Sequence, residues 1–304
     1  MMNEKDIMNT SVIFDAVKGK FIGSVGDKVV IRTKDKAAAD RIVAKIARDF
    51  AEASNVVTSK VERYGINERF AFVEQLVSMV ASGVQPSAVI TGEGGLGKTY
   101  TVTKTLEDHG LMDISDLAEF QAGTVLNSKK CFTFVKGYST ARGLYTTLFE
   151  NNGSVIVSDD CDSILKDPVA LNILKSALDS YGKRIISWNA ESRDPELPRS
   201  FVFTGRIIFL SNLPQEKIDQ AIRSRSILID LSMTKDQKID RMEHISKEQD
   251  FMPEYDKNIV SDALDLLREI KDEARELSLR TLISVCKIRA SNKNWKDMAR
   301  YVLC

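Results

Sequence analysis

A chain of 304 residues, 43% hydrophobic and 28% charged, is long enough for one large domain or two modest ones, with a core that stands without disulfides or structural metal. Its 43 lysines and arginines balance 43 aspartates and glutamates, which excludes a global field pulling the molecule onto nucleic acid or membrane. The cysteines Cys131, Cys161, Cys286 and Cys304 form no CxxC pair, which argues against a zinc site or a secreted disulfide framework.

The opening Met1-Met2-Asn3-Glu4-Lys5-Asp6 lacks the basic-then-apolar order of a signal peptide, and no apolar run approaches membrane-spanning length. A soluble protein in a reducing cytoplasm is expected, with no membrane partner. Residues 1–60 read as a small α+β segment. Val12 to Phe21 and Lys28 to Thr33 are expected as two strands around Gly23-Ser24-Val25-Gly26. A helix is expected from Lys34 to Glu52, with Ala38, Ile42, Ile46 and Phe50 on its apolar stripe.

From Val61 the pattern changes. Asn67 to Ala81 is amphipathic, and Ser87 to Thr91 is a buried strand entering a glycine loop. A helix runs from Lys98 to His109 and stops at Gly110, a residue suited to a left-handed cap. Short apolar strands follow at Cys131–Lys136, Ser154–Ser158, Gly205–Ser211 and Ile227–Leu231, several of them separated by helical stretches. This alternation predicts an α/β domain over 61–233, with a parallel five-stranded sheet flanked by helices. Residues 234–304 carry only helical periodicity, strongest from Asp256 to Glu276.

The glycine loop is Gly92-Glu93-Gly94-Gly95-Leu96-Gly97-Lys98-Thr99, followed by Tyr100. Its glycines let consecutive backbone N–H groups turn toward phosphate oxygens, and the next helix adds its positive end. Lys98 is expected to reach the β- and γ-phosphates of ATP, and the Thr99 hydroxyl to ligand Mg2+. Ser154-Val155-Ile156-Val157-Ser158-Asp159-Asp160 is a buried strand ending in acids, the Walker B form. Asp159 would hold the magnesium ion, and Asp160 would orient or activate the attacking water.

With these motifs in place the chain resembles the AAA+ ATPases across roughly Val61 to Arg289. Tyr64-Gly65-Ile66 looks like the family's adenine-side segment, and Gly205 to Asn212 like its sensor-1 strand. Asp219-Gln220-Ala221-Ile222-Arg223-Ser224-Arg225 resembles the segment carrying the arginine finger, and Ser278-Leu279-Arg280 looks like sensor 2. The resemblance implies a C-terminal helical lid and an ATP phosphohydrolase. It gives Asn212 a contact to water or γ-phosphate, Arg280 a contact from the lid, and Arg225 a place in a neighbour's site, with Arg223 as second choice. A ring or spiral, most often hexameric, is implied. The family usually ends its Walker B strand in Asp-Glu; here it is Asp159-Asp160, so the shorter carboxylate must approach the water more closely or hydrolysis is slow.

Partner contacts are expected at Lys136 and Tyr138, and at a hairpin between Arg184 and Thr204 carrying Arg193 and Arg199. The tail from Lys287 to Cys304, with Lys287, Arg289, Lys293, Lys296 and Arg300 and the interleaved Trp295 and Tyr301, is a third patch. The stretch Lys136 to Trp188 looks like AAA+ proteins of bacteriophages and mobile elements. Nucleic acid or nucleoprotein is the leading partner class, as for a helicase loader or initiator. Protein remodelling is the second, and a slowly hydrolysing, ATP-assembled scaffold the third.

Overall fold

The computed structural model describes residues 10–15, 18–25, 28–47, 63–115, 128–137, 139–179, 182–188, 197–248 and 251–304. The chain divides into two compact units, one ending at Tyr64 and the other beginning at Gly65. In the first, strands β1 (Thr10–Asp15), β2 (Lys20–Val25) and β3 (Lys28–Thr33) form an antiparallel sheet in sequential order. Helix α1 covers residues 36–47. The expected long strand from Val12 to Phe21 is two strands instead. Gly19 adopts φ +60, and the Lys18 N–H donates to the Asp15 carboxylate at 3.1 Å, so the chain reverses there. The apolar stripe of α1 is also displaced by one residue. Ala39 and Val43 are buried, whereas Ile42 is exposed. Gly23 explains the fit: a side chain there would collide with Val43 and Ile31, so the helix lies close on the sheet. Phe50 lies outside the described residues.

The second unit is built on a six-stranded sheet. Its strands are β4 (Ser87–Thr91), β5 (Met112–Asp113), β6 (Cys131–Lys136), β7 (Val155–Asp159), β10 (Arg206–Ser211) and β11 (Ile227–Asp230). They lie in the order β11-β4-β10-β7-β6-β5, all parallel. The expected five strands are present, and the two-residue β5 adds an edge beside β6. Helices cover both faces: α2 (Ile66–Ala81) and α3 (Lys98–Asp108) on one, α4 (Ala141–Glu150) and α5 (Pro168–Leu178) on the other. Alternate residues of one strand go to opposite cores, because strand side chains alternate in direction. Ala88, Ile90, Ile208 and Leu210 join the α2/α3 core, while Val89, Ile207 and Phe209 join the α4/α5 core. That is why every residue of β4 is buried, and why a sheet covered on both sides reads as a continuous apolar run.

Strands β8 (Arg184–Ser187) and β9 (Ser200–Phe203) form a separate antiparallel hairpin, in register Ile185 to Val202. Its aromatic side packs on Tyr145, whose hydroxyl donates to the Pro198 carbonyl at 2.7 Å. Short helix α6 (Gln220–Arg223) precedes β11. The helical tail comprises α7 (Lys235–Ser246), α8 (Lys257–Glu269), α9 (Leu279–Ser291) and α10 (Trp295–Leu303). The helix expected from Asp256 to Glu276 stops at Glu269, and Ser278 caps the next by accepting from the Thr281 N–H at 3.2 Å. A full Thr234/Gln237 capping box starts α7.

Candidate functional site

Strand order creates the site. Strand β10 lies between β4 and β7, so the ends of three parallel strands meet at one sheet edge. In open α/β sheets that edge, at a reversal of strand order, is where ligand clefts form. A cleft of about 310 Å³ lies there, lined by Gly94, Gly95, Gly97, Lys98, Thr99, Tyr100, Asp159, Asp160, Asn212, Leu279, Arg280 and Ile283. Sequence positions more than 180 apart are thus brought onto one surface.

The loop from Gly92 to Gly97 has left-handed or otherwise glycine-only backbone at Gly92 (φ +140), Gly95 (φ +78) and Gly97 (φ +97). Gly97 is the cap of α3, which places Lys98 and Thr99 in its first turn. Lys98 is 6% exposed, and its ammonium donates to the carbonyls of Gly92 (2.6 Å) and Glu93 (2.8 Å) and to Asn212 Oδ1 (2.9 Å). Burial pushes its pKa down, and the carboxylates of Asp159, Asp160, Asp162 and Glu93 oppose that shift. The Thr99 hydroxyl donates to Asp159 Oδ2 at 2.8 Å.

Asp160 follows β7 with φ +56, a conformation that costs a non-glycine residue roughly 1–2 kcal/mol. Its carboxylate accepts from the Asn212 side-chain amide. Asn212 therefore bridges Lys98 and Asp160, its carbonyl to the cation and its amide to the anion. Asp162, one more acid of this turn, accepts from the Ser211 hydroxyl at 2.6 Å and ties the turn to the end of β10. Buried Cys161 donates its S–H to the carbonyls of Val135 (3.2 Å) and Asp159 (3.4 Å), and burial pushes the thiol up to about 11.

Not every residue expected at the nucleotide faces the cleft. Gly65 caps α2 and Ile66 is buried in the core beneath it; neither lines this cleft. Glu93 pairs with Lys238 of α7, and Leu96 is wholly buried in the core of the helical tail. Arg280 is exposed and lines the cleft from the first turn of α9. Arg225 is elsewhere. Its guanidinium donates to the Ala221 carbonyl at 3.0 Å, and its own carbonyl lies beside Ser87, at the start of β4. The glycine loop follows the other end of that strand, about 13 Å along it from the Arg225 carbonyl, and Arg225 does not line its own cleft. Ser278, against the loop, and Leu279, in the cleft wall, belong to the sensor-2-like segment, where the resemblance gives them no role of their own; Ile283 in the cleft wall and Lys238 against the loop were not anticipated from sequence.

Among the partner residues, Lys136 is exposed at the end of β6, with its ammonium over the Phe134 ring, and Arg199 is exposed at the start of the β9 side of the hairpin. Tyr138 and Arg193 lie outside the described residues. The basic tail is less available than its sequence implies. Trp295 is buried between Arg289 and Lys296, Arg289 pairs with Asp262, and Arg300 pairs with Glu269; Tyr301 alone of the two aromatics is exposed. No helix among the described residues is long and apolar enough to cross a membrane.

No family model matches the chain. It is 28% identical over 256 residues to an uncharacterized 36.7 kDa protein in the nrdC-mobD intergenic region of Enterobacteria phage T4, covering 77% of this chain and 73% of the phage protein. Among solved structures it is similar to the FIGL-1 AAA domain, with a TM-score of 0.38 and 15% identity, covering 72% of each chain.

Proposed function

We propose that this chain is an AAA+ ATPase that binds ATP with Mg2+ at the cleft over β4, β10 and β7. The observation that carries the reading is one connected set of side chains. Lys98 and Thr99 open a helix after the glycine loop, Thr99 reaches Asp159, and Asn212 joins Lys98 to Asp160. A buried cation beside a glycine loop suits the phosphates of a nucleotide. The hydroxyl and carboxylate of Thr99 and Asp159 are hard oxygen donors in contact, a pair that suits Mg2+. Among the described residues no cluster of three or more protein metal ligands occurs, so the ion would complete its shell with water and phosphate oxygens, as this ion commonly does. When bound, magnesium neutralises charge on the phosphates.

The chain's own groups would then act as follows. Lys98 exchanges its bonds to the Gly92 and Glu93 carbonyls for phosphate oxygens. Asp160 accepts a proton from the attacking water as the water oxygen bonds to the γ-phosphorus. The bond from that phosphorus to the β–γ bridging oxygen breaks, giving ADP and phosphate. Asn212 orients the water or the γ-phosphate, and Arg280 approaches from α9. Arg225, remote from its own cleft, would complete the site of a second copy in a ring or spiral. One observation favours slow turnover: Asp160 is a short side chain on left-handed backbone, with its carboxylate bonded to the Asn212 amide.

The work this ATPase performs is assigned to nucleic acid or nucleoprotein, in a phage or mobile-element setting. The exposed Lys136 and Arg199 support the polymer, and similarity to a phage protein supports only the setting. The test is ATP hydrolysis by the full chain with single-stranded DNA, duplex DNA or neither, across a salt series. Stimulation by DNA that fades as salt rises is expected. Hydrolysis indifferent to both polymers but raised by a protein partner would overturn the nucleic-acid assignment. Absence of ATP binding would overturn the whole reading.

A further inference from the structure

The glycine loop has two sides, and the helical tail holds the one turned away from the cleft. Glu93 pairs with Lys238 of α7. The Gly95 carbonyl accepts from the Leu279 N–H at 2.8 Å, and a Cβ on Gly95 would lie 2.9 Å from Ser278. A Cβ on Gly97 would lie 3.5 Å from Ile245. Between these glycines, Leu96 is wholly buried in the core made by Ile239, Met242, Leu264, Leu267, Leu282 and Val285. The very next functional positions, Lys98 and Thr99, face the cleft.

Phosphate binding by a glycine loop needs backbone N–H groups, a lysine and a hydroxyl. It does not need a leucine. A leucine on a loop that faced only solvent would gain nothing from its apolar surface; here it is inserted among the apolar side chains of three other helices. Close-packed interiors transmit displacement, because they cannot absorb it in voids. A shift of the tail must therefore move the backbone at Gly95 and Gly97, and a shift of the loop must move the tail.

We infer that Leu96 is a positioning residue that anchors the phosphate loop to the core of the helical tail, so that nucleotide affinity and tail packing are linked. The inference rests on the nucleotide reading above and deepens it. Coupling runs through the loop itself, independently of Arg280. Linkage is reciprocal: whatever steadies the tail tightens the nucleotide, and the nucleotide steadies the tail by the same factor. A partner seated on α7 or α8 would thereby control ATP affinity without touching the cleft.

The test combines ATP titration with amide hydrogen exchange on the full chain, with Mg2+ present. In the wild type, ATP is expected to slow exchange across α7, α8 and α9. Leu96→Ala is expected to raise Kd about five- to hundredfold, the usual span of such coupling. At saturating ATP it should no longer protect the tail. Leu96→Met, which keeps an apolar anchor of similar size, should restore both. A wild type that binds ATP without protecting the tail would overturn the inference. So would a Leu96→Ala chain that binds and transmits like the wild type, or a folded Leu96→Met chain that behaves like Leu96→Ala. Should Leu96→Ala fail to fold, Arg280→Ala at saturating ATP decides: it removes the direct approach from α9, protection of α7 and α8 should persist in it, and loss of that protection would overturn the inference. A wild type that binds no ATP would instead remove the nucleotide reading, and the inference with it.

Discussion

Lys98→Met tests the centre of the site. The change keeps an unbranched side chain and removes the cation. In the structure that cation is 6% exposed and makes contacts of 2.6, 2.8 and 2.9 Å to two loop carbonyls and Asn212. Losing one partner of a buried, charged contact costs about 2–5 kcal/mol of binding, which is roughly 30-fold to several thousandfold in Kd. The lower part of that range is expected. Lysine must give up two short carbonyl bonds before it meets phosphate, so part of its gain is cancelled. Folding should respond differently. Hydrogen bonds to a charged group contribute about 1.5–3 kcal/mol, but the desolvation that lowers the lysine pKa opposes them. The net change should stay within about 1 kcal/mol, a shift of some 2–4 °C in Tm. Titration with a fluorescent ATP analogue and a thermal melt measure the two quantities. Binding within threefold of the wild type would refute the assignment of Lys98 to the phosphates. A collapse of Tm with no folded protein left would refute the claim that its structural contribution nearly cancels.

Gly97→Ala should be destabilising by at least about 1 kcal/mol, since its φ is +97 and Ile245 lies in ordinary contact with the added methyl; a melt that does not move would contradict that backbone. Arg225→Ala should leave ATP affinity within twofold, because its guanidinium is held by the Ala221 carbonyl away from the cleft. It should abolish hydrolysis, and mixing it with Lys98→Met should restore part of it; a demonstrated mixed oligomer with no restored turnover would refute action on a neighbour. Thiol titration at pH 8 should find Cys304 reactive and Cys131, Cys161 and Cys286 silent until denaturant is added. Cys161 and Cys286 are pushed up to about 11 by burial. The sign is that of an acid with a raised folded pKa. The folded state keeps protons that the unfolded state loses, so this contribution is fully present below about pH 9 and is lost toward pH 11. A native Cys161 that reacts as fast as Cys304 would show that the acid turn opens.

Much of the site was legible because its chemistry is local in sequence. A glycine loop between an apolar strand and a helix needs only neighbouring residues, and so does a buried strand ending in two aspartates. Local rules failed where packing decides. The stripe on α1 slipped by one residue because Gly23 admits Val43, a contact across the sheet. Trp295 looked available for stacking, yet the tail core takes it. Edge strand β5 is too short for any periodic signal.

Sequence by itself determined the five main strands of the parallel sheet, the helices flanking the glycine loop and the residues that could meet a phosphate, because backbone preference and side-chain period act over a few residues. Only the tertiary structure decided their company. Placing β10 between β4 and β7 sets Asn212 between Lys98 and Asp160, and folding the tail onto the loop buries Leu96. Those arrangements depend on which apolar faces cover one another across distant parts of the chain, and no local pattern encodes that choice.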